Sequence, residues 1–410
     1  MLPRRRVFVP AALALLAAAC DRPPTEPTAD ARRPRLATAS IATVLAQDLG
    51  VLPGDERSEA TYVTEDGVVY GRSYPTEFGG TPRFFRWTSG GGMVQVSSIP
   101  QPAAPPNPTL SNLPAPYASA FVAAANSKGE ATGVLCTAPA PCGLRSETAW
   151  SAFRSSAGAG VRELRTRAGD PYSRTRGLSI NRWGHVAGDA IDPERDDFRV
   201  FLWTPVDSFR LVSDSRSAER DVQINDIDQV IGGYVSWADE HAGAFVWRPD
   251  LGTRRLNPVD PNCTVGTPLF CVTVVHAQQF AGTLVVGSTE IQDGGARTHA
   301  ALWRVPAVNR AGFPSVNANV YSTSSTLSLA SSGGRYYQTY KATQATASGP
   351  YLELVDWGDG TSSRRTRTSI GVTTSQVHTY TKRGTYWVRV YVKDAQGRWG
   401  VSEHKVTISA

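Results

Sequence analysis

The chain has little lysine, little methionine and little charge. Five of its 42 basic residues are lysines, against 37 arginines, and two residues are methionine. Charged residues make up 19% of the 410 and apolar ones 41%, so a core can form beneath a lightly charged surface. The net charge of +6 is not gathered into a stripe: Arg174, Arg176 and Arg182 lie near Asp170, Asp189 and Asp192. A phosphate backbone calls for a concentrated basic patch, so nucleic acid is excluded as a partner. Past residue 20 no apolar run is long enough to cross a bilayer as a helix.

Catalytic signatures are also missing. The six histidines never stand at the i, i+4 spacing of a zinc protease, and no Gly-x-Ser-x-Gly elbow or phosphate-cradling loop occurs. The acidic run Asp192–Asp197 lacks the glycine and terminal glutamate of a calcium loop and reads as a solvated loop. No catalytic residue, metal or cofactor is expected.

What the chain does have is 37 glycines and 28 prolines among abundant Val, Thr, Trp and Tyr, a mixture that favours short strands joined by turns. Arg4–Arg6 precede an apolar run, Val7–Ala19, too short to span a membrane comfortably. Leu16-Ala17-Ala18-Ala19-Cys20 resembles a bacterial lipobox, departing from it by Ala17 where leucine is usual. The resemblance implies a signal over 1–20, lipidation of Cys20 and a membrane partner reached through that anchor. It places the chain in the bacterial cell envelope, facing the periplasm or the exterior. Arg5-Arg6-Val7-Phe8 partly resembles a twin-arginine signal, but ordinary secretion is the reading adopted. Residues 21–40, rich in Pro, Thr and Arg, read as a flexible tether.

Five cysteines occur, and lipidation of Cys20 removes the odd one. The other four form two close pairs, Cys136/Cys142 and Cys263/Cys271. Of the three connectivities, local pairing is favoured, each bridge stabilising by about 2–3 kcal/mol.

A repeat runs through the first three quarters. Its unit is Asn/Asp-x-x-Gly, a short apolar strand ending in glycine, a variable loop, a strand ending in Trp, a turn and a further strand. Gly71, Gly188, Gly232 and Gly287 precede Trp87, Trp203, Trp247 and Trp303 by 16, 15, 15 and 16 residues. The weakest copy has Gly133, with Ser155 where the tryptophan would stand. Asn and Asp suit the turn, glycine marks a bulge or close backbone approach, and the tryptophans read as core plates. The pattern resembles the extracellular HAF-repeat family, with His241-Ala242-Gly243-Ala244-Phe245 and His299-Ala300-Ala301-Leu302-Trp303 as fragments of its motif.

The last copy lacks the strand that comes after the tryptophan in the others, and an orphan strand over 41–50 precedes the first copy. If the orphan completes the last unit, a ring is sealed and its free edges vanish. The expectation is an all-β fold, a β-propeller of about five blades over 41–306, or six if 100–119 hides a degenerate unit.

From about residue 315 the texture changes. Asp356-Trp357-Gly358-Asp359-Gly360, His378-Thr379-Tyr380 and the alternation Tyr386, Val388, Val390, Val392 closely resemble a PKD domain. That family implies an immunoglobulin-like β-sandwich over 315–410, a spacer or adhesion module of surface proteins. Asp356, Asp359 and His378 read as turn residues rather than ligands. Trp387, Arg389, Tyr391 and Lys393 fall on the other face of their strand. The function expected is a non-catalytic cell-surface lipoprotein binding carbohydrate or protein through propeller loops. The alternative is a secreted hydrolase of polysaccharide or peptide, with the C-terminal module as substrate anchor.

Overall fold

The computed structural model describes residues 43–100, 110, 112–138, 142–144, 150–156, 160–166, 174–192, 197–212, 216–217, 222–236, 241–260, 272–279, 282–291, 297–308, 313–318, 324–344 and 349–410. Cys20, Cys263 and Cys271, with the expected leader and tether, lie outside the described residues. The fold is all-β; among the described residues the one helix is the single turn Leu329–Ser332.

Five sheets are built from the repeat. Sheet I holds Arg57–Val63, Val69–Tyr74, Arg83–Thr88 and Gly92–Val96. Sheet II holds Ser119–Ala125, Ala131–Cys136, Trp150–Ser156 and Gly160–Glu163. Sheet III holds Arg174–Ile180, Val186–Asp192, Asp197–Thr204 and Ser208–Leu211. In sheet IV, Arg216–Ser217 and Gln223–Ile224 both pair with Val230–Ser236, joined in turn by His241–Arg248 and Gly252–Leu256. Sheet V holds Thr273–Gln278, Leu284–Ile291 and Arg297–Arg304, and its fourth strand is Ala46–Gly50 from the start of the chain.

That fourth strand pairs Ala46 with Trp303 and Gly50 with Ala300. The expected single strand over 41–50 is in fact divided. Thr43–Val44 runs parallel to Gly252–Leu256 in sheet IV, and Leu45, 76% exposed, stands between the two pieces. The start of the chain therefore fastens two sheets rather than one.

The repeat residues occupy equivalent sites. Val69, Val186, Val230 and Val285 pair with Trp87, Trp203, Trp247 and Trp303, and Ala131 with Ser155. Gly71, Gly133, Gly188 and Gly287 each face a register shift in the first strand of their sheet. A Cβ there would lie 1.8–2.0 Å from the carbonyl oxygen of Glu59, Phe121, Arg176 or Val274, so only glycine fits the bulge. Each tryptophan is at most 5% exposed. Trp203 packs with Ala152 and Leu164 of sheet II and its flank, Trp247 with Leu202 of III, Trp303 with Val246 of IV, and Trp87 with Leu284 of V.

Apolar clusters thus join II to III, III to IV, IV to V, and V back to I. Among the described residues none joins I to II, the junction at which Ser155 replaces tryptophan. Leu110, Leu113 and Tyr117, from the connection before sheet II, instead cover the face bearing Phe153 and Leu135. No strand forms among the described residues of 97–118.

The last two sheets face one another. Sheet VI has the order Ser315–Ala318, Arg335–Thr343, Thr373–Thr379, and sheet VII the order Ser324–Ser328, Trp399–Ser409, Gly384–Lys393, Tyr351–Asp356, Ser362–Arg367. Between them lie Tyr336, Tyr340, Val355, Trp357, Tyr380, Tyr386, Val388, Val390 and Val406. The Asp-Trp-Gly-Asp-Gly segment is a turn: Asp356 Oδ1 accepts from Gly358 N at 3.1 Å and Asp359 Oδ1 from Thr361 N at 3.0 Å. His378 hydrogen-bonds Asp359 Oδ2 at 2.7 Å and stacks on Trp357 at 5.0 Å.

Candidate functional site

Antiparallel order gives sheets I–V two distinct edges. The short turns from first to second strand and from third to fourth lie at one, here called the turn edge. The connections from second to third strand, and from sheet to sheet, lie at the other, the loop edge.

An amide ladder runs along the turn edge. Asn126 Nδ2 donates to Asn181 O at 2.8 Å, Asn181 Nδ2 to Asn225 O at 2.9 Å, and Asn225 Nδ2 to Gln279 O at 2.9 Å. Gln279 Nε2 then donates to Thr64 O at 2.8 Å. Each asparagine oxygen meanwhile holds its own turn; Asn225 Oδ1 accepts from Ile227 N and Gln229 N at 3.2 and 2.9 Å. The motif asparagine is therefore both a cap and a bridge between sheets. Thr64 Oγ1 accepts from Val68 N at 3.0 Å but has no amide with which to bridge. The ladder and the tryptophans stop at the same junction.

Sheet VII sits on the turn edge through buried charge. Glu130, 3% exposed, accepts from Arg389 Nη1 and Nη2 at 2.9 and 2.8 Å and from Arg154 Nη2 at 2.8 Å. Arg154 Nη1 also reaches Asp356 Oδ2 at 2.9 Å. Burial opposes ionisation of Glu130, but the two guanidiniums outweigh it and hold the carboxyl well below the usual range. Lys128 pairs with Glu403 and lies 4.5 Å from the Trp387 ring centroid; burial and Arg389 push its ammonium down to about 8. The face of Arg389 and Tyr391, opposite the sandwich core, is thus itself buried, both residues being 0% exposed.

Beside this cluster His185 joins Asp228 Oδ1 through Nδ1 at 2.7 Å and approaches Tyr391 OH through Nε2 at 3.3 Å. The three are at most 1% exposed, which denies them substrate and makes the trio a structural contact. Next to it opens a cleft of about 310 Å³, whose lining includes Trp183, Asp226, Arg248, Phe313 and Trp399. Asp226 Oδ1 accepts from Arg182 N at 3.0 Å, and burial raises its carboxyl pKa. Arg248 is engaged by Asp250, at 2.5 and 3.0 Å, and by Pro306 O at 2.9 Å.

At the loop edge Cys136 and Cys142 form a disulfide in the second-to-third connection of sheet II. The Cys263/Cys271 pair belongs to the connection from sheet IV to sheet V and lies outside the described residues, as do 193–196 of the acidic run. Phe78 is 100% exposed on a clamped turn. Glu77 Oε2 and Oε1 accept from Thr298 N and Oγ1 at 3.1 and 2.8 Å, and Thr76 Oγ1 donates to Gly79 O at 2.8 Å. Among the described residues no three potential metal ligands converge.

Sequence reasoning missed Glu130, Arg154, Arg389 and the cleft. Arg389 stood in an alternating strand face that offers no hint of a partner 259 residues away.

No family model and no curated protein matches the chain. Among solved structures it is similar to the PKD domain of an M14-like peptidase from a Thermoplasmatales archaeon, with 26% identity over 24% of this chain and 94% of that one, TM-score 0.19. It is similar to a putative gluconolactonase at 11% identity, over 68% of this chain and 98% of that one, TM-score 0.30. A gluconolactonase from Xanthomonas campestris is similar at 9% identity, over 64% and 89%, TM-score 0.29.

Proposed function

We propose that the chain is a non-catalytic, lipid-anchored surface protein of the bacterial envelope that binds carbohydrate or protein through its loop edge. In this reading residues 41–306 form a HAF-type propeller of five blades. Its fifth junction lies between sheets I and II, where Leu110, Leu113 and Tyr117 cover a face of sheet II. Residues 315–410 form a PKD-like sandwich, and Cys20 carries the lipid.

The carrying observation is the division of labour between edges. Buried ion pairs commit the turn edge to sheet VII, which makes the sandwich a fixed support rather than a swinging spacer. The loop edge receives the long connections, the Cys136–Cys142 bridge and the clamped turn that presents Phe78. An aromatic side chain on a main chain already held in place costs less backbone entropy on contact.

A glycan array and a panel of purified envelope proteins test this. Phe78→Ala should weaken the binding found by about tenfold with an unchanged melting temperature. Tyr337→Ala, on the outer face of sheet VI, should leave binding intact. If neither Phe78→Ala nor shortening of the 137–149 connection alters binding, the loop edge is not the recognition surface. Release of reducing ends or peptide fragments would favour the hydrolase alternative. Cys20→Ser should free the protein from membranes, and unchanged partition would remove the anchor from the reading.

A further inference from the structure

The cleft between sheet IV and the sandwich has a chemistry that the loop edge lacks. Its lining brings three aromatic side chains, Trp183, Phe313 and Trp399, together with the carboxylate of Asp226 and the Arg248–Asp250 ion pair. Ring faces are electronegative, and aromatic rings grouped with a carboxylate attract cations that carry little water. The one cation in the lining, Arg248, is already neutralised, because both Asp250 oxygens and the Pro306 carbonyl take its N–H groups. Trp183 already carries the protein's own cations: Arg182 lies 4.5 Å and the Lys128 ammonium 5.5 Å from its ring centroid, so it walls the cleft rather than offering a free ring face.

Asp226 has capacity to spare. Its Oδ1 accepts the Arg182 N–H and its main-chain carbonyl accepts Trp183 Nε1 at 2.8 Å, while Oδ2 takes part in neither bond; Arg182 and Lys128 are the cations nearby. Burial raises its pKa, so a cation brought against it would regain the charge stabilisation that desolvation removes. The other walls are apolar, among them Ile227, Val316 and Val401. A hydrated metal ion needs a shell of oxygens that such walls do not offer. At about 310 Å³ the cleft has room for a small organic body.

We propose that this cleft binds a small alkylammonium compound, its cationic head beside Phe313 and Trp399 and against Asp226. The site is independent of loop-edge recognition, so either can fail without the other. It is built from the Trp183 turn of sheet III, from sheet IV, from Val308 and residues 313–316 at the start of sheet VI, and from sheet VII.

Titration of the purified full chain with choline, read by tryptophan fluorescence and by calorimetry, tests the site. Choline should bind saturably, and its neutral carbon isostere, 3,3-dimethylbutanol, about tenfold more weakly. Asp226→Asn keeps the acceptor for Arg182 N and should weaken choline about tenfold without unfolding the protein. Trp399→Ala should abolish saturation; because that variant removes packing beside His185, Phe313→Leu serves as the milder companion and should weaken binding severalfold. Equal affinity for the isostere, no saturable binding of choline, or an Asp226→Asn protein that binds as well as the native one would each overturn the proposal.

Discussion

Arg389 grips Glu130 with both terminal nitrogens, at 2.9 and 2.8 Å, across 259 residues of chain. Both are almost wholly buried, so the pair is worth most when intact and costs most when halved.

Glu130→Gln removes the carboxylate that two buried guanidiniums share, leaving Arg154 with Asp356 and Arg389 with the more distant Glu403, and should lower stability by about 3 kcal/mol in urea unfolding. The double variant Glu130→Leu, Arg389→Met should recover much of that loss, since no buried charge is left unmatched at Arg389. A single-variant loss below about 1 kcal/mol would mean that solvent reaches the pair.

Asn225→Asp keeps an oxygen for Ile227 N and Gln229 N but removes the amide that donates to Gln279 O. A loss of about 1–3 kcal/mol is expected. Thr64→Ser, at the end of the ladder, should be nearly neutral. Equal effects would show that the amides act as turn caps alone.

Gly188→Ala sets a Cβ 1.8 Å from Arg176 O and should cost more than about 3 kcal/mol, because two main chains must part. Gly92→Ala meets open space at φ 63° and should cost about 1 kcal/mol. Melting temperatures of the two variants check the order.

Asp359 gives an acid-side dependence. Burial raises its pKa, but hydrogen bonds from His378 and Thr361 prevail and hold it at about 2, below the ordinary 3.8. A depressed carboxyl stabilises the fold above its unfolded value and loses that contribution as pH falls from about 4 towards 2. Asp359→Asn should flatten the fall in stability over this window. A parallel slope in both proteins would assign the acid sensitivity elsewhere.

The repeat was readable because its signals are local. Gly188 and Trp203 recur at a fixed distance, and each answers to its own strand neighbour, Arg176 or Val186. The complementing strand was readable for the same reason, since Ala46–Gly50 supplies the outer strand that the Trp303 unit lacks. Its division at Leu45 was not, because Thr43 and Val44 take a partner in a different sheet. Asn126, Asn181 and Asn225 read as turn caps, and half of their amides' role depends on a carbonyl 44–55 residues away. Tyr391 and Arg389 read as one face of a strand, and the cover over that face comes from turns more than 200 residues upstream. The candidate cleft was illegible because Trp183, Asp226, Phe313 and Trp399 come from separate segments with no shared spacing.

The strand Ala46–Gly50 has a temporal consequence. Its partner Arg297–Arg304 is made some 250 residues after it. The segment therefore cannot take its place in sheet V until those residues have been made. A product ending before Arg297 would leave Ala46–Gly50 without its sheet V partner and that sheet without its outer pair of strands.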